Sequence, residues 1–368
     1  MQLEGGRIDN IHLIFLIMGV TFGSSVIISP GVGVDQNSWL AVLIGLVGGV
    51  FFAYIFFSLA KKFPNKTLME INDFIYGKFL GKIVSILYLS YFSIVTALVL
   101  RNFSDFLTIT IYQETPAVVL IGSTVLISAS AVRNGIEVIT RCSLLLVPIT
   151  LFSYLILTIF LHPQMDLNNL LPIHFPFKNM LKVSFKAATF PFGETVVFLM
   201  VIAYLNKHNL KSMKKFALSG IILPGIVLLI ASARNVAVLG ATMELSVYSA
   251  LEAVELINVG EIFTRLEILY IFSMFSVGFI KVAVFYYAIT LGTAQLLGLR
   301  SYLPLVLPIG VSLTVLSITI FESVFENILW NNNIYPLYAL PFQFLIPLVT
   351  LILARTKSNK EEVAGEIT

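Results

Sequence analysis

Apolar runs of roughly 20 residues, separated by short polar stretches, repeat along the whole chain. They fall near residues 10–29, 38–60, 83–111, 116–132, 138–161, 184–205, 216–240, 264–297, 302–321 and 335–354. An α-helix needs about 20 apolar residues to cross the hydrocarbon core of a bilayer, so the pattern predicts an all-α integral membrane protein of about ten transmembrane helices. The segment from Met243 to Asn258 has a different rhythm. It places Val247, Leu251 and Val254 on one helical face and Glu244, Glu252 and Glu255 largely on the other. That pattern predicts a helix lying along the membrane surface.

Composition reinforces this picture. The 368 residues are 58% hydrophobic and 12% charged, with a mean hydropathy of +0.94, whereas a soluble domain carries about 25% charged residues. The first apolar run, beginning near Ile11, has no cleavage site of small residues after it and reads as a first helix, not a signal peptide. The extramembrane segments are short and hold no phosphate loop, nucleophile elbow or zinc signature, so no enzymatic activity is expected. Cys142 is the single cysteine, and His12, His162, His174 and His208 are scattered one to a segment. Neither a metal site nor a cofactor is expected from them.

The net charge of +3 does not point to nucleic acid, because the basic residues sit in the short loops between apolar runs. With a cytoplasmic N-terminus, the inner segments would carry Arg7, Lys61, Lys62, Lys66, Lys78, Lys82, Arg133, Arg141, Lys207, Lys211, Lys214, Lys215, Arg300, Arg355, Lys357 and Lys360. Only Lys178, Lys182, Lys186 and Arg265 would fall outside, so the positive-inside rule predicts that both termini are cytoplasmic. Trp39 and Trp330 fit interfacial anchors beside outer loops, and Asp35, Glu114, Asp166, Glu322 and Glu326 also lie outside. The lysines of the 162–183 loop are the one feature that argues the other way.

Two spans carry internal breakers. In the first, Gly19, Thr21, Gly23, Ser24 and Ser25 form a cluster of small residues, and glycine tolerates the dihedrals that unwind a helix. In the sixth, the break is Phe190-Pro191-Phe192-Gly193-Glu194, where proline removes an amide donor and clashes with the preceding turn. Spans one and six open two sets of five, approximately 10–161 and 184–354, and an odd number of crossings per set makes these an inverted repeat. Interrupted helices at matching places in two inverted halves point to a binding site at the bilayer midplane. Taken one at a time, Gly19 and Gly23 could equally serve close helix packing, and Pro191 could be an ordinary kink.

The chemistry expected there suits a small zwitterion. Free N–H groups of Gly23, Ser24 and Ser25 at a half-helix start would attract a carboxylate, and carbonyls around Phe190 and Pro191 would accept an ammonium. Glu194 serves either as a cap or as a ligand group, and Tyr91 either as an aromatic lid or as a packed interior tyrosine. Ionisable residues at membrane depth are functional hypotheses by default. Arg101 and Asp105 share a helical face four residues apart and form either a structural pair or a gate. Arg234 is near enough to the outer surface to snorkel. Lys281 is too deep for that, and needs a carbonyl cage, a carboxylate or the loss of its proton. It is a candidate built-in cation where a coupled transporter would bind sodium, or a proton carrier.

Several local features, in order and spacing, carry a family resemblance. They are the Gly23-Ser24-Ser25 to Pro30-Gly31 run, Trp39, Arg101, Gly135-Ile136-Glu137 with Arg141, Asp166-Leu167-Asn168-Asn169-Leu170-Leu171-Pro172, Phe192-Gly193-Glu194, and Arg265 with Lys281. The whole chain resembles the spore germination permease family, the B subunits of nutrient germinant receptors, within the amino acid/polyamine/organocation transporter superfamily. The resemblance implies five-plus-five inverted repeats, a pocket for a small nutrient such as an amino acid between the broken helices, and a place in the inner spore membrane among its lipids. It also implies partnership with a larger A subunit and a lipoprotein C subunit. Ser25 departs from the superfamily, whose members often carry glycine there. A proton-coupled amino-acid permease, with Lys281 or Glu194 carrying the proton, is the alternative reading.

Overall fold

A computed structural model describes residues 3–173, 175–257 and 266–365, with side chains through Thr356. His174, Asn258 and Arg265, and the side chains of Lys357 and Lys360, lie outside the described residues. All regular structure among the described residues is helical, apart from one isolated backbone bridge between Ile8 and Leu205.

The elements run α1 (Asn10–Phe22), α2 (Ser38–Lys62), α3 (Leu68–Thr110), α4 (Ala117–Arg133), α5 (Ile136–Leu161), α6 (Phe177–Thr189), α7 (Phe198–Val201), α8 (Met213–Leu239), α9 (Ser249–Glu255), α10 (Glu267–Leu296), α11 (Val306–Thr319), α12 (Val324–Asn333), α13 (Tyr335–Leu340) and α14 (Ile346–Gly365). Seven helical stretches are long and apolar enough to cross a membrane, and α11 with α12 would add an eighth span, bent by 96°. The first and fourth expected spans are shorter apolar helices, Asn10–Val26 and Ala117–Arg133. The expected ninth span, 302–321, stops at Thr319, and the chain then turns into α12 instead of continuing.

Local chemistry explains several boundaries. Thr67 and Glu70 form a reciprocal cap at the start of α3, the Thr67 N–H donating to Glu70 Oε2 at 2.8 Å. Gly77, with φ +81°, kinks the stretch, so that 68–76 and 78–110 point in different directions. Asp9 begins α1, and its Oδ1 accepts hydrogen bonds from Asn206 and Asn209 at 2.6 and 2.7 Å. This ties the start of helix 1 to the end of the helix 6 region.

The long contacts separate two ends of the bundle. At one end Glu4 accepts from the Tyr302 hydroxyl, the Arg7 N–H donates to Glu137, and Thr67 meets Gln295. At the other, Gly33 and Asp35 donate to Glu244, Gln36 donates to the Pro172 carbonyl, and Lys186 donates to Asn332. Between these ends α10 packs against α1, α3 and α5, while α2 packs against α6 and α8. Large apolar side chains such as Phe79, Leu126, Leu145 and Phe152 point outward, each more than 60% exposed. A hydrocarbon solvent accepts such a surface and water does not. The protein is a multi-pass membrane protein.

Two sequence expectations are corrected here. The segment after α8 is not one helix from 243 to 258: a 3-10 turn, Gly240–Glu244, precedes α9. Leu251 and Val254 are buried on α9, but Val247 is 52% exposed, because the turn between the two elements takes it off their shared face. Arg234 does not snorkel. It is 4% exposed and donates to Asn235 Oδ1 and Thr158 Oγ1, partners on the protein interior that hold the guanidinium inward.

Candidate ligand site at the broken helices

Helix 1 is broken where the glycine cluster lies. α1 ends at Phe22, Gly23 takes φ +9° and ψ −113°, and a 3-10 turn follows over Gly23–Val26. Gly23 leaves helical dihedrals and the chain resumes as the tighter 3-10 turn, but one expectation is corrected: the Gly23 N–H is not free, because it donates to the Gly19 carbonyl. Ser25 Oγ donates to the Thr21 carbonyl at 2.8 Å. Thr21 Oγ1 and Ser24 Oγ are buried with no hydrogen-bond partner among the described residues.

Helix 6 breaks more completely. α6 ends at Thr189, Phe190 is extended, and after Pro191 the chain resumes as a 3-10 helix, Phe192–Val197, before the single α-turn of α7. The missing proline donor and the extended Phe190 make the interruption. Glu194 lies in the first turn after it, buried to 2% exposure.

The two breaks meet through Lys281 of α10. Its ammonium is 2.5 Å from Glu194 Oε2, and both side chains are buried. A Cβ built on Gly23 would overlap the Cδ of Lys281, so the missing side chain of Gly23 is what admits the lysine stem beside helix 1. Gly19 is similarly packed on Ile280, where a Cβ would come within 2.7 Å of Cγ2. Both glycines therefore give close approach between α1 and α10. The Lys281 ammonium also lies 5.0 Å from the centre of the Phe190 ring, within cation–π range.

The other Glu194 oxygen extends a polar network. Oε1 accepts from the Tyr335 hydroxyl at 2.5 Å, and the Tyr335 and Tyr91 hydroxyls are 3.4 Å apart. Gln343 Nε2 donates to the Tyr91 hydroxyl at 2.7 Å and to the Thr189 carbonyl at 3.0 Å, capping the last turn of α6. Gly193 leaves room for that amide, since a Cβ there would overlap Gln343 Oε1. Tyr91 stacks on Phe342 with ring centres 4.7 Å apart, a packed interior ring that also keeps its hydroxyl in the network. A carboxylate, an ammonium and neutral donors thus converge where both helices are interrupted.

Tyr335 and Gln343 were not singled out from sequence. Gln343 carried a signal, being an amide inside an apolar run at membrane depth. Tyr335 carried none, because its partner Glu194 is 141 residues away.

Arg101 and Asp105 lie apart from this centre. They are paired at 2.8 Å, and Arg101 also donates to the carbonyls of Phe321 and Ile318 at 2.7 and 3.3 Å. Asn327 of α12 donates to Asp105 Oδ2 at 3.1 Å. The pair braces the bend between α11 and α12, where a guanidinium satisfies the carbonyls that a helix end leaves open.

The fold is that of membrane transporters. It matches the nucleobase-cation-symport-1 family transporter Mhp1, in a closed conformation with bromovinylhydantoin bound, with a TM-score of 0.67 at 12% identity, over 94% of this chain and 78% of that one. It matches a Na+-coupled sialic acid symporter in a substrate-bound outward-open state equally well, at 0.67 and 11% identity, over 92% and 78%. Sequence gives the family: residues 7–324 match the model described as spore germination protein, and the chain belongs to that family. It is 31% identical to spore germination protein KB of Bacillus subtilis (strain 168) over 98% of both chains. It is also 22% identical to the putative spore germination protein YfkT of that organism over 88% of each.

Proposed function

We propose that this protein is the membrane subunit of a spore germinant receptor that senses a small nutrient molecule, an amino acid by the chemistry of the site, at the junction of its two broken helices. The observation that carries the proposal is the buried Glu194–Lys281 pair at 2.5 Å. Without ligand, the lysine acts as an internal ammonium that fills the space beside Gly23 and neutralises Glu194. An amino acid offers an ammonium of its own for Glu194, while Thr21 Oγ1 and Ser24 Oγ, buried and without partners among the described residues, offer hydrogen bonds to its polar groups. Displacing Lys281 would favour a different packing of α10 against helix 1, and the ligand would shift the population between the two.

In this reading ten segments cross the inner spore membrane as inverted repeats of five, over roughly 10–161 and 184–354. Both termini face the cytoplasm, as the basic residues of the 61–66, 133–141 and 207–215 segments favour. The larger A subunit and the lipoprotein C subunit receive the change in packing. Sensing and not catalysis is the activity, and likeness to symporters speaks for the fold and leaves transport open.

The test is germination of a deletion strain complemented with wild type, Glu194→Gln or Lys281→Met. Wild type is expected to restore the response to one class of nutrient, and each variant to raise the nutrient concentration needed at least tenfold while still inserting in the membrane. Normal responses from both variants would place the site elsewhere. Concentrative uptake of an amino acid by the purified chain alone in proteoliposomes would favour the permease instead.

A further inference from the structure

At the end of the bundle away from the N-terminus, a cavity of about 430 Å³ opens between the segment after the helix 1 break, α3 and α12. That volume is within the range of small-molecule pockets, about 300–1,000 Å³. Its floor is polar, with Asn102, Asp105 and Asn327 buried and hydrogen-bonded together at 2.7 and 3.1 Å. Ile27, Ile28 and Ile328 give it an apolar wall. A neighbouring cavity of about 260 Å³ shares Val32, Gly33, Lys186 and Asn332 with it, so Lys186 and Asn332 stand in the partition between the spaces together with the Val32-Gly33 backbone.

Two carboxylates and one ammonium face this cavity, and none of them is in direct contact with another. Asp105 is already paired with Arg101 at 2.8 Å. Glu244 stands on the rim with its Oε1 accepting from the amides of Gly33 and Asp35 at 3.0 and 2.8 Å, and its negative charge acts on Lys186 only from beyond ion-pair distance. Lys186, only 9% exposed, donates to the neutral Asn332 Oδ1 at 2.5 Å. Among the described residues its ammonium forms no ion pair. An ammonium has three N–H donors, and a buried one with no counter-ion in direct contact is costly. Lys186 therefore has both donors and charge to offer an anion entering the cavity.

We infer that this outer cavity binds a carboxylate-bearing small molecule, its carboxylate on Lys186 in competition with Asn332 and its remainder against the Ile27, Ile28 and Ile328 wall. The site is separate from the one proposed at midplane, since neither Glu194 nor Lys281 lines it. It also has a mechanical consequence. Lys186 lies one turn before the helix 6 break, and with Lys182, which donates to Asn333 at 3.0 Å, it clasps α6 to α12. A carboxylate that takes Lys186 from Asn332 opens one rung of that clasp.

The test uses thiol reagents of opposite charge on the full chain in liposomes. The single native cysteine is removed by Cys142→Ser, and Asn331→Cys, whose native side chain lines the cavity, reports access. The anionic ethylsulfonate thiosulfonate is expected to label it severalfold faster than the cationic trimethylammonium reagent, because Lys186 stands nearer the thiol's end of the cavity wall on Asn332 while Glu244 is held at the rim by backbone amides. Lys186→Gln should bring the ratio near one, and Lys186→Arg should keep it. A mixture of L-amino acids or of simple carboxylates (acetate, propionate, lactate) should slow labelling, and whichever does so identifies the class. The matching carboxamides should not protect. The inference is overturned by a thiol unreactive to both reagents, by a ratio indifferent to Lys186→Gln, by equal protection from amides, or by no protection at all. Glu194→Gln, which disables the midplane site, should leave every one of these results unchanged, so the two proposals fail separately.

Discussion

Lys281 reaches across from α10 to place its ammonium 2.5 Å from Glu194, which stands 87 residues earlier in the chain and directly after the helix 6 break. Two charges that would each be costly alone at this depth are thereby buried as one neutral unit. The pair joins the two broken helices to a long unbroken one, so its state bears on the packing of the whole centre.

Breaking the pair from one side leaves a buried charge uncompensated. Lys281→Met or Glu194→Leu alone should each cost about 3–5 kcal/mol, whereas the double substitution should cost clearly less than the two together. Thermal unfolding of the purified chain in detergent measures the cycle. Additive losses would mean that the pair is not coupled.

Gly23 leaves the space that the Lys281 stem occupies. Gly23→Ala should therefore lower thermal stability and blunt the germinant response, and combining it with Lys281→Ala should cost clearly less stability than the two single losses added together, because the clashing stem is gone, without recovering the response. Equal stability of Gly23→Ala and wild type would show that the contact is slack.

Tyr335 donates to Glu194 Oε1 at 2.5 Å. Tyr335→Phe keeps the ring and removes the donor to a charged acceptor, a loss of about 1.5–3 kcal/mol. The expected readout is a lower unfolding temperature together with a shifted nutrient sensitivity. Tyr91→Phe, one step further from the carboxylate, should do less.

Arg101 holds Asp105 and two carbonyls at the bend between α11 and α12. A lysine is a point charge and cannot serve all three directions. Arg101→Lys should speed hydrogen exchange over residues 318–327 while leaving α5 unchanged, and uniform exchange across both would count against a brace at the bend.

Asp9 supplies the pH-dependent tie outside the membrane. The Asn206 amide, helped by Asn209 and by nearby His12 and His208, holds its carboxyl below the usual range against a partial burial that pushes the other way. A depressed carboxyl contributes stability that is present above its unfolded value, near pH 4, and is lost as pH falls through the lower folded value. Protease access to the 206–212 segment should stay low at neutral pH and rise only in acid, while Asp9→Asn should lose most of that pH dependence.

The apolar runs were legible because hydropathy is local, and every crossing segment must satisfy its backbone internally. The helix breaks were legible for a similar reason: Gly23, Pro191 and Gly193 act on the backbone where they stand. So was the Arg101–Asp105 pair, whose i, i+4 spacing puts both groups on one face. The sequence likewise marked Lys281 as needing a partner, since its depth rules out solvation. It could not say that Glu194 was that partner, that Tyr335 and Gln343 complete the network, that Gly23 makes room for the lysine stem, or that Arg234 turns inward. Those facts depend on side chains brought together from far apart in the chain, Thr158 and Arg234 at 76 residues, Glu194 and Lys281 at 87, and Tyr91 and Gln343 at 252, and no periodicity records such distances. The chain by itself determined a membrane body with two interrupted helices. Only the tertiary packing decided which charges meet at the interruptions, because a buried charge is settled by what surrounds it in space and not by its neighbours along the chain.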